Sequence, residues 1–172
     1  RSSDLPTLDV AAEQTTYVMQ ASEYVHGATC DDEGVDISAD ITISPDLSAL
    51  GEGNHTITFA CSDGPNTVDL TRTLIVDSTR PVIIDPGIEF DFARGQSQPV
   101  PDATCRDDHL APGQTERLVS PNVTSIDTGR TGPTPVGYDC TDHTGNTRHA
   151  AFLATVGADR SEEHTSELQS RQ

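Results

Sequence analysis

"FACSDGPNTV", residues 59–68, and "YDCTDHTGNT", residues 138–147, are two versions of one phrase: an aromatic residue, any residue, Cys, Ser or Thr, Asp, then a turn rich in Gly and Asn. Leading into the first, Ile57, Phe59 and Cys61 alternate with Thr56, Thr58 and Ala60, so an extended segment there has one apolar and one largely polar face. Val136, Tyr138 and Cys140 alternate in the same way in the second. Beyond the turns the pattern resumes, through Val68, Leu70, Leu74 and Val76 in one copy and Ala150, Phe152, Ala154 and Val156 in the other. Each phrase therefore predicts a β-hairpin. Asp, Gly and Asn sit at its turn because the connection needs positive φ and side chains that bond the local backbone.

The likeness extends outward from the hairpins. "GATCDDEG" (27–34) aligns with "DATCRDDH" (102–109), and "GNHTITFACSD" (53–63) with "GPTPVGYDCTD" (132–142). Cys30 and Cys105 lie 75 residues apart and Cys61 and Cys140 79 apart, a domain repeat too long for an ordinary solenoid unit. "VDSTRPVI" (76–83) closes the first copy and opens the second, with Pro81 enforcing an extended, stiff link. Thr, Val, Ile, Asp, Gly and Pro dominate, and no sustained run has helical spacing, so the expected class is all-β, with one domain over 6–79 and a second over 80–159.

The two ends read differently. "RSEEHTSELQS" (160–170) and "RSSDL" (1–5) resemble translated short-read sequencing adapters. Residues 1–5 and 160–172 are thus expected to be artefactual, the latter as a disordered polar tail, and the parent protein to be longer.

Ten Arg, no Lys and 28 acidic residues give a formal charge of −18. Such a surface repels nucleic-acid phosphates and anionic membranes, so neither nucleic-acid binding nor membrane insertion is expected.

Four cysteines allow three pairings. Because each copy holds two at matching positions, the repeat argues for Cys30 with Cys61 and Cys105 with Cys140. Closing loops of that length stabilises a small domain by roughly 3 to 4 kcal/mol in the chain-entropy picture. Such bonds persist outside the reducing cytosol, which points to an extracellular or cell-surface location. Zinc would require CxxC-type spacing with histidine nearby, whereas His26 and His55 are isolated.

The phrase G-x5-[FY]-x-C-[ST]-D, with Asn three or four residues after the Asp, followed in the first copy by a strand and "DSTRPVI", resembles the bacterial immunoglobulin-like modules of the hyalin-repeat (HYR) type. The first copy is similar to the related surface immunoglobulin-like type described from insecticidal crystal proteins. The resemblance implies tandem antiparallel immunoglobulin-like β-sandwiches used in extracellular adhesion or as a stalk, with no catalytic residues. It departs from antibody domains in having no Trp to pack on the disulfide. Tyr138 stands two residues before Cys140, where a tyrosine-corner hydroxyl would be, while the first copy has Phe59 there.

Candidate chemistry is sparse. "SIDTGRTG" (125–132) contains one Asp-Thr-Gly, but a protease of that kind pairs two carboxylates, and no G-x-S-x-G frames a nucleophilic serine. Asp31, Asp32, Asp63, Asp77, Asp107, Asp108 and Asp142 are hard oxygen donors that could hold calcium, although no stretch fits the twelve-residue calcium loop; a solvated acidic surface is the competing reading. No other cofactor is indicated. Asn54-His55-Thr56 and Asn122-Val123-Thr124 are glycosylation sequons. The expected function is that of a non-enzymatic spacer, stalk or weak adhesion segment of a larger secreted or surface protein. Its partners would be the neighbouring domains of the same parent chain and a surface protein or glycan. The alternative is a carbohydrate-binding or targeting accessory module of a secreted enzyme.

Overall fold

The fold is known from a computed structural model that describes residues 4–87, 89–90, 97–127, 129 and 132–156; the tail expected at 160–172 lies outside them. The chain divides into two compact units, Arg1–Thr79 and Arg80–Gln172. Among the described residues the regular structure is β-strand, interrupted in the first unit by short 3-10 turns at Ala21–Glu23, Ser38–Asp40 and Leu47–Ala49.

In the first unit the strands are β1 (Thr7–Val10), β2 (Thr15–Val18), β3 (Ala28–Asp32), β4 (Val35–Asp36), β5 (Thr42–Ser44), β6 (Gly53–Ser62) and β7 (Thr67–Val76). They form two sheets, ordered β1-β3-β4 and β2-β7-β6-β5. The long hairpin pairs Gly53 with Val76 through to Ser62 with Thr67. Its alternation works as the side chains dictate: Ile57, Phe59 and Cys61 are buried and the intervening residues are not. Val10, Val18, Tyr24, Ile57, Phe59, Leu74 and Val76 make the core. A bond from Cys30 in β3 to Cys61 in β6 ties one sheet to the other.

The second unit contains β8 (Val82–Ile84), β9 (Glu89–Phe90), β10 (Ser97–Pro99), β11 (Ala103–Ala111), β12 (Gln114–Val119), β13 (Ser125–Asp127), β14 (Gly132–Thr141) and β15 (Thr147–Val156). Its sheets are β12-β11-β8, β14-β15-β9 and the small pair β10-β13. Val136, Tyr138 and Cys140 point into a core with Ile83, Ala103, Leu110, Val119, Ile126 and Ala154. Cys105 in β11 is bonded to Cys140 in β14, again between sheets. Both units are thus sandwich-like, and the class is all-β.

One expectation needs correction: the sheets are not purely antiparallel. β2 runs parallel to β7, pairing Thr15 with Thr73 through to Val18 with Val76, and β9 runs parallel to β15. In the first unit the cause is a change of sheet. The chain leaves β1 in one sheet, crosses at residues 11–14 and enters the other sheet as β2. Arg72 of β7 holds that crossing, its Nε donating to the Ala12 carbonyl at 2.9 Å and its Nη2 to the Val10 carbonyl at 3.1 Å. The Gln14 carbonyl in turn accepts from Thr73 N–H at 2.9 Å. A guanidinium fork suits this because the crossing leaves backbone acceptors with no ladder partner.

Candidate functional site

Among the described residues nine aspartates, Asp31, Asp36, Asp46, Asp63, Asp77, Asp85, Asp107, Asp127 and Asp142, accept a backbone N–H close by in the chain. Asp63 accepts Asn66 N–H at 2.9 Å on Oδ1 and the Asn66 amide at 3.0 Å on Oδ2. Asp142 does more: its Oδ1 accepts Thr144 Oγ1, Gly145 N–H and Asn146 N–H, and its Oδ2 the Asn146 amide at 2.8 Å. Asp142 and Asn146 are buried, so the network is shielded from water. The Asp and Asn of the repeated phrase are therefore a lock across the hairpin turn, with Gly64 (φ +109°) and Gly145 (φ +102°) taking the backbone where a Cβ would strain it. Asp31, Asp77 and Asp107 likewise accept the N–H of Gly34, Thr79 and His109. Side chains that bond the backbone two or three residues on are turn devices, which accounts for much of the Asp content.

Of the candidate calcium ligands in the first unit, Asp31 and Asp32 lie in β3 and Asp63 at the β6–β7 turn, near enough for the charges of Asp31 and Asp63 to act on Asp32. Asp32 Oδ1 is enclosed and accepts no hydrogen bond from a described residue. Desolvation first, then the negative charges of Asp63, Glu33, Asp31 and Asp4, raise its carboxyl above the usual range. This is like-charge crowding in which two of the neighbours already serve as turn acceptors. In the second unit Asp107 and Asp108 lie in β11 and Asp142 in the β14–β15 turn.

The remaining motif residues have structural roles as well. Asp127 of the Asp-Thr-Gly stretch accepts Gly129 N–H at 2.8 Å; Thr128 lies outside the described residues. Asn122 of the second sequon accepts Gly137 N–H on its Oδ1 at 2.9 Å and donates its own N–H to the Gly137 carbonyl at 2.8 Å. Asn54 of the first is exposed on β6.

Sequence reasoning missed a groove in the first unit, about 580 Å³ in volume, between the 3-10 turns Ala21–Glu23 and Leu47–Ala49. Met19, Ala21, Leu47, Leu50 and Val76 give it apolar surface, and Ser22, Ser48, Ser78 and Glu52 give it polar surface. Asp46 shapes one wall by accepting both Ser48 N–H and Ser48 Oγ. Glu52 accepts from Ser78 Oγ and Thr79 Oγ1, and these bonds hold its carboxyl below the usual range. The groove is assembled from three separate segments, so no local pattern announces it.

No family model matches the chain, and no curated protein matches it. Among solved structures, a crystal structure of a lipoprotein from Bacteroides thetaiotaomicron aligns over 87% of this chain and 80% of that one, at 14% identity and a TM-score of 0.36. A likeness so loose carries no argument about fold or activity. No helix among the described residues is long and apolar enough to cross a membrane.

Proposed function

We propose that the chain is a non-enzymatic extracellular module of the HYR-like immunoglobulin type, serving as a spacer or weak adhesion segment of a larger secreted or surface protein. The observation that carries this reading is the pair of disulfides, one in each unit, each joining two sheets through cysteines that are at most 2% exposed. Bonds so placed act as staples and are stable in an oxidising compartment. That aspartates such as Asp63 and Asp142 hold the hairpin turns also supports it, because it gives these acids a structural role.

The carbohydrate-binding alternative has less support. Sugar platforms present exposed aromatic rings, while the large exposed apolar side chains among the described residues, such as Val25, Val35, Val82, Leu118 and Leu153, are all aliphatic. The proposal is tested with secreted, oxidised protein in a broad hydrolase screen and on polysaccharide resins. No turnover and no retention are expected. Turnover abolished by substitution of a single carboxylate or serine would overturn the non-enzymatic reading, and retention released by free sugar would establish the alternative.

A further inference from the structure

We propose that the groove between the 3-10 turns Ala21–Glu23 and Leu47–Ala49 is a docking site for a cationic, apolar-bearing peptide segment of a partner protein. The proposal goes beyond the spacer reading, which stands whether or not the groove binds.

The groove's floor is fixed by the fold. Val76 ends β7 in the core, and Leu47 and Leu50 pack against that core with their inner sides while remaining partly exposed. Apolar surface that is held in place yet uncovered loses little entropy when a partner covers it, which favours binding. Met19, the only methionine of the chain, adds an adaptable thioether to the wall.

Charge selects the partner. Three carboxylates are tied to the lining: Glu52 lines the groove itself, Asp46 is bonded to Ser48, and the Oε2 of Glu23 accepts Met19 N–H at 3.2 Å. No Lys or Arg lines it, and the chain as a whole carries −18. An acidic rim around an apolar floor complements a segment that alternates Lys or Arg with Leu or Met, and repels acidic chains. Because this protein has no Lys and a large negative charge, a second copy is a poor occupant, and the site is heterophilic.

Gly51 provides the means of testing. It lines the groove with φ outside the left-handed region, and a Cβ built there meets nothing within 4 Å. Gly51→Trp therefore sets a large ring at the lining without straining the backbone or changing charge. The experiment is fluorescence anisotropy of dye-labelled short peptides alternating Lys with Leu or Lys with Ser, on the full chain and on G51W, with circular dichroism to confirm folding. The Lys–Leu peptide is expected to bind the wild type at least about ten-fold tighter than the Lys–Ser peptide, and G51W to lose at least about ten-fold. If G51W is not folded, Met19→Ala, which keeps the charge and removes wall contact, is expected to weaken the Lys–Leu peptide alone. Equal binding of both peptides, unchanged binding by both lining variants, G51W and Met19→Ala, or no binding of the Lys–Leu peptide would each overturn the site. The first two outcomes would assign the attraction to diffuse surface charge.

Discussion

The two units share one frame and complete it with different bonds. In the second, Tyr138 is 1% exposed and its hydroxyl donates to the Pro101 carbonyl at 2.8 Å, while its ring packs on Phe152 at 5.8 Å between centroids. In the first, Phe59 holds the matching place. His26, which matches Pro101 in its distance from the disulfide cysteine, lays its ring on Phe59 at 5.3 Å and gives its carbonyl to Ala12 N–H at 3.1 Å. Both units bury a ring two residues before the second cysteine; where the ring carries a hydroxyl it bonds the facing carbonyl, and where it does not Ala12 N–H takes that place. The neighbouring strand shows the same substitution of means. Three residues of β5 pair with β6 in the first unit, where the second has, among the described residues, one bridge from Pro121 to Tyr138 and the Asn122 side chain standing in for a backbone acceptor.

The largest expected effect is common to both units. Replacing Cys30 and Cys61 together by Ala, or Cys105 and Cys140, should cost about 3 to 4 kcal/mol each in urea unfolding, because the loops, of 31 and 35 residues, are nearly equal. A large inequality would mean that the two staples do not play the same part.

Next comes Gly137→Ala. A Cβ there would lie 2.9 Å from Asn122 Nδ2, and that amide is held in place by its partner oxygen's bond to Gly137 N–H, so a loss of about 1 to 3 kcal/mol is expected. In an Asn122→Ala background the penalty should shrink, a non-additivity readable by a double-mutant cycle. Thr58, at the matching place in the first unit, faces the backbone of Ser44 and should tolerate Ala better.

Two tyrosines sharpen the contrast with opposite signs. Tyr138→Phe removes the bond to the Pro101 carbonyl and should lower stability by about 1 kcal/mol. Tyr24 is 6% exposed with a hydroxyl that makes no hydrogen bond to a described residue, and burial raises its phenol above the usual range while Arg72 opposes the shift. Tyr24→Phe removes an unsatisfied polar atom and should leave stability unchanged or higher by a few tenths of a kcal/mol, roughly. Thermal melts of the two variants check both signs.

The smallest effect is on pH dependence. Asp36, Asp46 and Asp63 are held below the ordinary 3.8 by the side chains of Ser38, Ser48 and Asn66 first and by backbone donors second. A depressed acid stabilises the fold in full above its unfolded value and loses that contribution as pH falls through the folded one. Asp32, raised, works the other way: its penalty is absent in strong acid and complete above its folded value, so Asp32→Asn should raise the melting temperature slightly at pH 7 and not at pH 3.

The hairpins were legible in the sequence because strand alternation is local: β6 with β7 and β14 with β15 follow from residues that are neighbours in the chain. The parallel strands β2 and β9 were not, since their partners lie far along the chain and their own stretches are short. The acids were legible as oxygen donors, but their acceptor role became clear only once Asp63 and Asp142 were seen closing on Asn66 and Asn146. The groove depends on three segments meeting, which composition does not encode.

The most direct test of two units each stapled across its own sheets is disulfide mapping by mass spectrometry of proteolytic peptides from secreted, unreduced protein. Linked peptides carrying Cys30 with Cys61 and Cys105 with Cys140 are expected, with no alkylated thiol. A linkage between Cys61 and Cys105, or free thiols in folded secreted protein, would contradict that pairing.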